Sequence, residues 1–589
     1  MEKWFVASKK ADFESWGKKY HISPVTARII RNRDVETEGS LQKFLYGALK
    51  DLYDPMLLHD MDRAVEILKL KIEQGKSIRV IGDYDVDGIC ASQILKMGLK
   101  ALGAKVDVAI PHRIKDGYGL NEQLIQDAIE DGVDTILTCD NGIAAYHQIA
   151  YAKEQGMTVV VTDHHEVPFE GEGNDRREIL PPADAVVDPK KEQCTYPFPG
   201  ICGAVVAYKL IQALYETWEQ FYDLYPIIQK QLLQFAAIAT ICDVMELLDE
   251  NRILVKEGLK CIKEEPVLGL QALAMVSEIE LSNVNAYHMG FIIGPCLNAT
   301  GRLDSAARSL ELFDTTDKRL AMEIAGELKA LNDSRKQMTI EGVNEAIEIV
   351  EREHLEKERV LVVFLPDCHE SLAGIIAGRI REKYGKPTFV LTKAEEGVKG
   401  SGRSIETYHM FESLVGCKQL LSKFGGHKMA AGLSLPEENV DLLREALNRQ
   451  CTLTDEDFAT KVHIDVPMPL SMVDKAFARE LEVLEPHGVG NPKPLFARKD
   501  VHIVSAKKMG AKGQFARLVL TEDGTNFVEA VCFSETEKLL SLIEQRYGAE
   551  AVEKMFLQKC DYSISVTYQV AVNTFRGKES VQISLQNFC

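Results

Sequence analysis

One segment of this chain carries three aspartates at alternating positions, between an apolar run and a glycine turn. It spans Ser77–Gly88 and reads Ser-Ile-Arg-Val-Ile-Gly-Asp-Tyr-Asp-Val-Asp-Gly. The apolar run is typical of a buried strand, and Asp83, Asp85 and Asp87 follow it directly. Like charges gathered at a strand end are costly unless a metal ion or a bound proton neutralises them. Because carboxylate oxygens suit Mg²⁺ and Mn²⁺, the segment predicts a site for a hard divalent cation.

The same spacing also resembles the first half of a calcium-binding EF-hand loop. Position twelve of such a loop would be Ile94 rather than a glutamate, and the residues before Asp83 favour a strand rather than a helix. The EF-hand interpretation is therefore the weaker one.

Three later apolar runs also end in residue types that bind metals. The run 134–139 ends on Asp140, the run 158–162 on Asp163, His164 and His165, and the helical run 235–242 on Asp243. Taken singly, such an aspartate can cap a helix, and a histidine pair can lie on the surface or in the core. In an open α/β sheet, however, ligands bind beyond the carboxyl ends of parallel strands. We therefore predict that these side chains converge on one metal centre.

Together these motifs resemble those of the DHH phosphoesterase superfamily. The matching residues are Asp83–Gly88, Asp140–Gly142, Asp163–His165 and the pair Cys242 and Asp243, and Gly425–Gly432 is similar to the glycine-histidine motif of the DHH-associated domain. Further segments resemble the members that degrade single-stranded DNA from its 5′ end, namely Asn298–Arg302, His369–Ser371, Lys399–Ser404 and Pro486–Pro492. The likeness covers the chain from about residue 50 to its end.

The resemblance implies a centre of two divalent ions, Mn²⁺ or Mg²⁺. It makes Asp140 the carboxylate that bridges both ions, places Asp83 and Asp85 on one, and places Asp87, His164 and Asp243 on the other. Asp163 and His165 would orient these ligands or contact the scissile phosphate. The chain departs from the superfamily at Ile81, where many members carry a histidine, and Asp83 is the candidate substitute.

Exonucleolytic action also requires a pocket for the end of the strand. Arg113, Arg302 and Arg403, with Ser401, are candidates for binding a terminal 5′ phosphate, because guanidinium groups bind phosphate oxygens in pairs. An ordinary salt bridge is the alternative for any one of these arginines. In the glycine-rich turn, His427 is predicted to donate to the scissile phosphate; the alternative is a tight turn with a buried imidazole.

Alternating strand-like and helical runs predict an α/β fold with several domains. We expect two α/β domains, the DHH and the DHH-associated domain, joined by a long helix around a cleft and followed by a C-terminal OB-like β-barrel. The expected segments are an N-terminal helical arm at 1–50, the DHH domain at 51–316, the connecting helix at 317–357, the DHH-associated domain at 358–452 and an OB-fold nucleic-acid-binding domain at 458–589.

The last segment carries basic residues with aromatic residues among them. They are Arg498, Lys499, Lys507, Lys508, Lys512 and Arg517, with Phe496 and Phe515 nearby. These residue types suit contact with a nucleic-acid backbone and stacking on its bases. A solvated hairpin face is the alternative that the spacing leaves open.

Composition restricts the partners and the compartment. A net charge of −20 argues at first against nucleic acid, but a binding groove needs only local positive potential. Thirteen scattered cysteines without a Cys-x-x-Cys pair argue against zinc and, without a secretory signal, for a reducing cytoplasm. No run approaches the ~18 apolar residues of a membrane span, so no membrane partner is expected.

Three functions are compatible with these features. The first is a metal-dependent 5′→3′ exonuclease that hydrolyses single-stranded DNA to 5′-mononucleotides in DNA repair and recombination, alongside a helicase and a single-strand-binding protein. The second is a phosphodiesterase for short oligonucleotides or cyclic dinucleotides, which would not require the β-rich region after residue 458. The third is a catalytically inactive binding module, against which the complete set of acids argues.

Overall fold

The computed structural model describes residues 2–111, 119–171, 175–303, 306–533, 535–557, 559–575 and 578–589. The N-terminal elements are β1 (Glu2–Val6), α1 (Phe13–Tyr20), α2 (Pro24–Asn32) and α3 (Glu38–Tyr46). The sequence predicts helices here but not the strand, which pairs in parallel with Thr460–Ile464 near the other end of the chain. Side chains of α1, α2 and α3 share one hydrophobic core with the C-terminal barrel. The N-terminal segment therefore packs on the C-terminal domain.

The first α/β unit contains a five-stranded parallel sheet. Its elements are α4 (Met61–Glu73), β2 (Ser77–Ile81), α5 (Val86–Ala101), β3 (Lys105–Ala109), α6 (Glu122–Glu130), β4 (Thr135–Cys139), α7 (Tyr146–Glu154), β5 (Thr158–Thr162), the short hairpin β6 (Phe169–Glu170) and β7 (Arg177–Glu178), β8 (Ala185–Val187) and α8 (Gly203–Glu216). The strand order is β3-β2-β4-β5-β8. The chain therefore changes direction across the sheet between β2 and β4, where open α/β sheets bind their ligands.

Further helices cover this sheet and lead to the second unit. They are α9 (Tyr225–Cys242), α10 (Asp249–Glu264), α11 (Leu268–Val276), α12 (Ala286–His288), a π-helical turn (Met289–Ile293), α13 (Gly294–Leu303), α14 (Ala307–Asp314) and α15 (Lys318–Arg352). The first half of α15 buries Ile324 and Leu328 in the core of the first unit. Its second half buries Ala346 and Val350 in a core of the second unit. The long helix thus belongs to both cores.

The second α/β unit has a mixed sheet. Its elements are β9 (Leu361–Phe364), α16 (Ala373–Tyr384), β10 (Thr388–Lys393), β11 (Val398–Arg403), α17 (Met410–Val415), β12 (Lys423–Gly426), β13 (Ala430–Leu435) and α18 (Val440–Gln450). The strand order is β12-β13-β11-β10-β9, in which the β9–β10 pair is parallel and the other pairs are antiparallel.

The C-terminal domain is a closed five-stranded barrel. Its elements are β14 (Thr460–Ile464), β15 (Val466–Pro467), α19 (Lys475–Glu480), β16 (Phe496–Met509), β17 (Phe515–Thr521), β18 (Phe527–Cys532), α20 (Thr536–Tyr547), α21 (Ala549–Leu557), β19 (Tyr562–Phe575) and β20 (Lys578–Phe588). The barrel runs β16-β17-β18-β20-β19 and closes through the pairing of β19 with β16. The predicted fold class, two α/β units with a long connecting helix and a C-terminal OB-like barrel, is confirmed.

The prediction that Phe496 stacks on a nucleotide base is wrong. Phe496 is fully buried and packs against Phe477 and Tyr568, so its ring cannot stack on a nucleotide base. Two of the predicted basic residues are paired with acids: Arg498 lies 3.1 Å from Glu522, and Arg517 lies 2.5 Å from Glu529. These pairs fit the solvated-face interpretation at both positions.

None of the helices in the described ranges is both long enough and apolar enough to span a bilayer.

Candidate metal centre

The ends of neighbouring strands bring the first acids together. Ile81 of β2 lies opposite Thr138 of β4, and Cys139 lies opposite Thr162 of β5, so the residues after these strands emerge at one edge of the sheet. Since a strand precedes Asp83 and a helix begins at Val86, the EF-hand interpretation is wrong. Ile81 is fully buried in the sheet.

Two backbone features fix the turns that carry these acids. Asp85 caps α5, and its Oδ1 accepts a hydrogen bond from Gly88 N at 3.0 Å. A Cβ at Gly88 would lie 2.4 Å from the Asp83 carbonyl oxygen, so this turn needs glycine. Asp140 has φ of 59°, in the left-handed region that non-glycine residues rarely adopt. Such strained conformations cluster at functional sites.

Acids and histidines converge into three overlapping groups of potential ligands. In each group the ligand atoms lie within 4.8 Å of one another; the groups are Asp83, Asp85 and Asp140; Asp87, His164 and Asp243; and Asp140, His164 and His165. Asp140 and His164 belong to two groups each. The residues assigned to two ions from the resemblance therefore occupy one continuous cluster, and Asp83 is part of it.

His164 lies at the centre of this cluster. Its Nε2 is 3.1 Å from Asp140 Oδ1, 3.5 Å from Asp87 Oδ2 and 3.8 Å from Asp243 Oδ2. Burial lowers the pKa of His164, which favours the neutral imidazole that a metal ligand requires.

The N-terminus of α8 holds Asp87. Its Oδ2 accepts from Gly203 N at 2.7 Å, and its Oδ1 accepts from Ala204 N at 2.8 Å. A Cβ at Gly203 would lie 2.6 Å from Asp140 Cβ, so the helix approaches the centre as closely as its backbone allows. Sequence reasoning did not find this contact, because nothing in the residues around Gly203 reveals which carboxylate its amide meets.

Asp163 organises the loop that carries both histidines. Its carboxylate accepts from Ile143 N at 2.9 Å and from His164 N at 2.7 Å, and it pairs with His165 Nδ1 at 2.7 Å. Burial alone would raise the pKa of Asp163, but these bonds, above all that from His165, lower it. The same pairing raises the pKa of His165 to about 9 against the opposing effect of burial.

The remaining acids repel one another strongly. Burial and the charge of Asp85 raise the pKa of Asp83 to about 7, and burial and the charge of Asp87 raise the pKa of Asp243 to about 8. Burial and neighbouring carboxylates also raise the pKa values of Asp85 and Asp140. Asp83 Oδ1 is buried without a hydrogen-bond partner in the described ranges. Concentrated negative charge, an unpaired buried oxygen and a carboxylate–imidazole donor set all fit hard divalent cations.

Asp188 is an acid at this edge that sequence reasoning missed. It follows β8, is fully buried, and has one carboxylate oxygen, Oδ2, without a partner in the part of the chain that is described. Burial and the charge of Asp163 raise its pKa to about 8. The signal was present in the sequence, since Asp188 ends an apolar run as Asp140 and Asp163 do.

The predicted phosphate-binding residues lie in several places. Arg403 on β11 donates from Nη1 to Ser401 Oγ at 3.2 Å and to the Gly402 carbonyl at 2.8 Å. His427 lies exposed in the turn between β12 and β13, so the alternative of a buried imidazole is wrong. Arg113 lies outside the described residues, and Arg302 has a described backbone on α13 but no described side chain.

The fold and the cluster at its strand ends define a protein built on a DHH phosphoesterase domain. Residues 77–240 match the DHH family, N-terminal domain; residues 357–453 match the DHHA1 domain; and residues 464–587 match the RecJ OB domain. The single-stranded-DNA-specific exonuclease RecJ of Haemophilus influenzae is 31% identical over 95% of this chain and 95% of its own length. The chain belongs to the RecJ family of exonucleases.

Two further relatives extend this comparison. RecJ of Bacillus subtilis is 35% identical over 89% of this chain, which spans 64% of that longer protein. The crystal structure of Thermus thermophilus RecJ in complex with Mn²⁺ superposes with a TM-score of 0.79 at 27% identity, covering 100% of this chain and 79% of that one. The structure of the same relative in complex with Mg²⁺ gives a TM-score of 0.74 at 26% identity, covering 100% of this chain and 78% of that one.

Proposed function

We propose that this protein is a metal-dependent exonuclease that hydrolyses single-stranded DNA from its 5′ end to 5′-mononucleotides. The observation that carries the proposal is the meeting of two ligand groups, Asp83, Asp85 and Asp140 on one side and Asp87, His164 and Asp243 on the other. Membership of the RecJ family supports the same substrate and a role in DNA repair and recombination.

The two ligand groups would each hold one divalent cation, Mn²⁺ or Mg²⁺. We assign the bridging role to Asp140, which belongs to the first group and whose Oδ1 lies 3.1 Å from His164 Nε2 of the second. Bound there, the cations would lower the pKa of a coordinated water molecule and would neutralise negative charge on the phosphate and leaving oxygens. The protein's part is to fix the ligands. The amides of Gly203 and Ala204 hold both oxygens of Asp87, and Asp163 fixes the loop that presents His164. We assign His165, oriented by Asp163, to the scissile phosphate.

The 5′ polarity requires a site that binds the strand end. We assign this role to Arg403 and Ser401, with Arg113 and Arg302, and we assign His427 to the scissile phosphate. In support, Arg403 and Ser401 contact each other on one strand, and a Cβ at Gly374 would lie 2.8 Å from Arg403 Nη2. The helix α16 therefore approaches the guanidinium closely at Gly374.

We expect Arg403→Ala to reduce the preference for 5′-phosphorylated over 5′-hydroxyl strands by about tenfold or more, because a hydrogen bond to a charged group contributes about 1.5–3 kcal/mol. The measurement is the initial rate on strands that differ only in this phosphate. Arg379→Ala, which removes an exposed arginine of α16, is the matched control and should leave the preference unchanged. An unaltered ratio in Arg403→Ala would reject the assignment.

The function itself is tested with long single strands labelled at either end. We expect mononucleotides to be released first from the 5′ label, with loss of activity in EDTA and recovery on adding Mn²⁺. Preferential cleavage of dinucleotides over long strands would instead identify a small-substrate phosphodiesterase. Tight strand binding without release of nucleotide in Mn²⁺ or Mg²⁺ would identify a binding module.

We also propose that the protein acts in the cytoplasm, where a helicase and a single-strand-binding protein would supply its substrate. All thirteen cysteines lie in the described ranges and are free thiols, as expected in a reducing compartment.

A further inference from the structure

The start of α10 is a buried junction between three parts of the chain. Arg252 is 2% exposed, and its guanidinium donates to carbonyl groups of the C-terminal domain, namely Val483 at 2.8 Å, Leu484 at 2.9 Å and Pro486 at 3.5 Å. It also donates to the carbonyl of Phe44 on α3 at 2.9 Å. A buried guanidinium is expensive unless its donors are satisfied, so these segments are held together by one side chain.

The preceding residue, Asn251, connects this junction to the metal centre. Asn251 is fully buried, and its Nδ2 donates to Gly200 O at 2.7 Å and to Glu246 O at 3.1 Å. Gly200 lies three residues before Gly203, whose amide binds Asp87. Glu246 lies three residues after Asp243. The side-chain amide of Asn251 therefore joins two loops: the loop that leads to the amides binding Asp87, and the loop that follows Asp243.

The loop after Asp243 also packs directly on the C-terminal domain. Leu247 N donates to Val489 O at 2.8 Å, and a Cβ at Gly488 would lie 2.6 Å from Leu247 Cδ1. In that domain, Asn491 is fully buried and donates to the carbonyls of Leu484 at 2.7 Å and Pro486 at 2.9 Å. The carbonyls of Leu484 and Pro486 also accept hydrogen bonds from Arg252. The Pro486–Pro492 motif therefore packs directly against the loop that follows Asp243.

We propose that Asn251 and Arg252 are positioning residues through which the C-terminal domain sets the cation affinity of the Asp87–His164–Asp243 group. The inference rests on the proposed metal centre. The other group, Asp83, Asp85 and Asp140, is carried by the ends of β2 and β4 rather than by the two loops that Asn251 joins. The two cation sites therefore respond differently when the junction is broken.

The test measures Mn²⁺ binding to the full-length protein, by calorimetry and by electron paramagnetic resonance, without DNA or turnover. In Asn251→Ala the carbonyls of Gly200 and Glu246 lose their shared donor. We expect one of two Mn²⁺ sites to weaken by about tenfold or more, as is typical when a residue that orients a metal ligand is removed, while the other stays within about twofold. Arg252→Lys keeps the buried charge but cannot reach all the carbonyls, and we expect the same selective loss to a smaller extent.

Leu254→Ala is the control for simple destabilisation, since Leu254 is a fully buried core residue on the same helix without a polar contact to either loop. It should lower the melting temperature while both Mn²⁺ sites stay within about twofold. Unchanged Mn²⁺ affinity at both sites in Asn251→Ala and Arg252→Lys would overturn this inference but not the proposed metal centre. Equal weakening of both sites in these variants, or the same selective loss in Leu254→Ala, would also overturn it. Failure of the parent protein to bind Mn²⁺ would overturn the proposed metal centre as well.

Discussion

Asp140→Asn lowers the rate of single-strand hydrolysis by about a thousandfold or more, because metal ligation is expected to supply several kcal/mol of transition-state stabilisation and about 4 kcal/mol corresponds to this factor. Asp140 belongs to the Asp83–Asp85–Asp140 group, and its Oδ1 lies 3.1 Å from His164 Nε2 of the Asp87–His164–Asp243 group, so we expect the substitution to weaken both cation sites at once. The amide is nearly isosteric but carries no charge. We expect strand affinity, measured by fluorescence anisotropy in EDTA, to stay within about threefold.

The matched control removes a charge from the same domain without touching the centre. Asp127 is exposed on α6 and bonds to Gln123, and Asp127→Asn should leave both rate and affinity unchanged. A rate in Asp140→Asn within tenfold of the parent would contradict the bridging role. Loss of strand binding without metal would show instead that Asp140 supports the fold.

The convergence of acids could be predicted because local pattern and sheet geometry act together. The runs before Asp83, Asp140 and Asp163 are apolar and short, and parallel strands bring their carboxyl ends to one edge. Asp188 follows β8 in the same way, so the same sheet geometry applies to it. It lies outside the motifs that carry the family resemblance, although its short apolar run contains the same signal.

Other features depend on contacts between segments far apart in the chain. Strand β1 pairs with β14, more than four hundred and fifty residues away, and neither sequence contains a signal for the other. Phe496 was misinterpreted because a one-residue change in register moves a side chain of a strand from the surface to the core. The sequence could show that an aromatic residue starts β16, but not which face it occupies.

The junction at α10 illustrates the same limit at the site itself. Asn251 and Arg252 act through carbonyl groups, and a carbonyl group is present in every residue, so residue type carries no information about which one accepts. The side chains of the ligand residues show their chemistry in the sequence, whereas supports that act through backbone groups do not. This difference explains why the six metal-binding candidates were available from sequence, whereas Asn251, Arg252 and the amides of Gly203 and Ala204 were not.

Gly203→Ala tests the closest of these supports, and we expect it to reduce hydrolysis by about a hundredfold, since a displacement of about 1 Å at a reacting centre can have this effect. The new Cβ would lie 2.6 Å from Asp140 Cβ and 2.9 Å from Asp140 Oδ1, closer than atoms can approach. Either Asp140 moves or α8 withdraws the amides that hold Asp87. Both outcomes disturb the ligand groups while the strand-binding surfaces remain.

Gly200→Ala provides the matched control three residues earlier in the same loop. Its Cβ would lie 3.4 Å from the ring of Phe198, an ordinary contact, and the Gly200 carbonyl would keep its bond from Asn251. We therefore expect Gly200→Ala to retain the parent rate within about threefold. Rates are to be compared at saturating DNA and Mn²⁺, with strand affinity measured alongside. Equal losses of hydrolysis rate in both variants would show that this loop tolerates no added side chain. A rate near that of the parent in Gly203→Ala would show that the close approach of α8 to Asp140 is not required for hydrolysis.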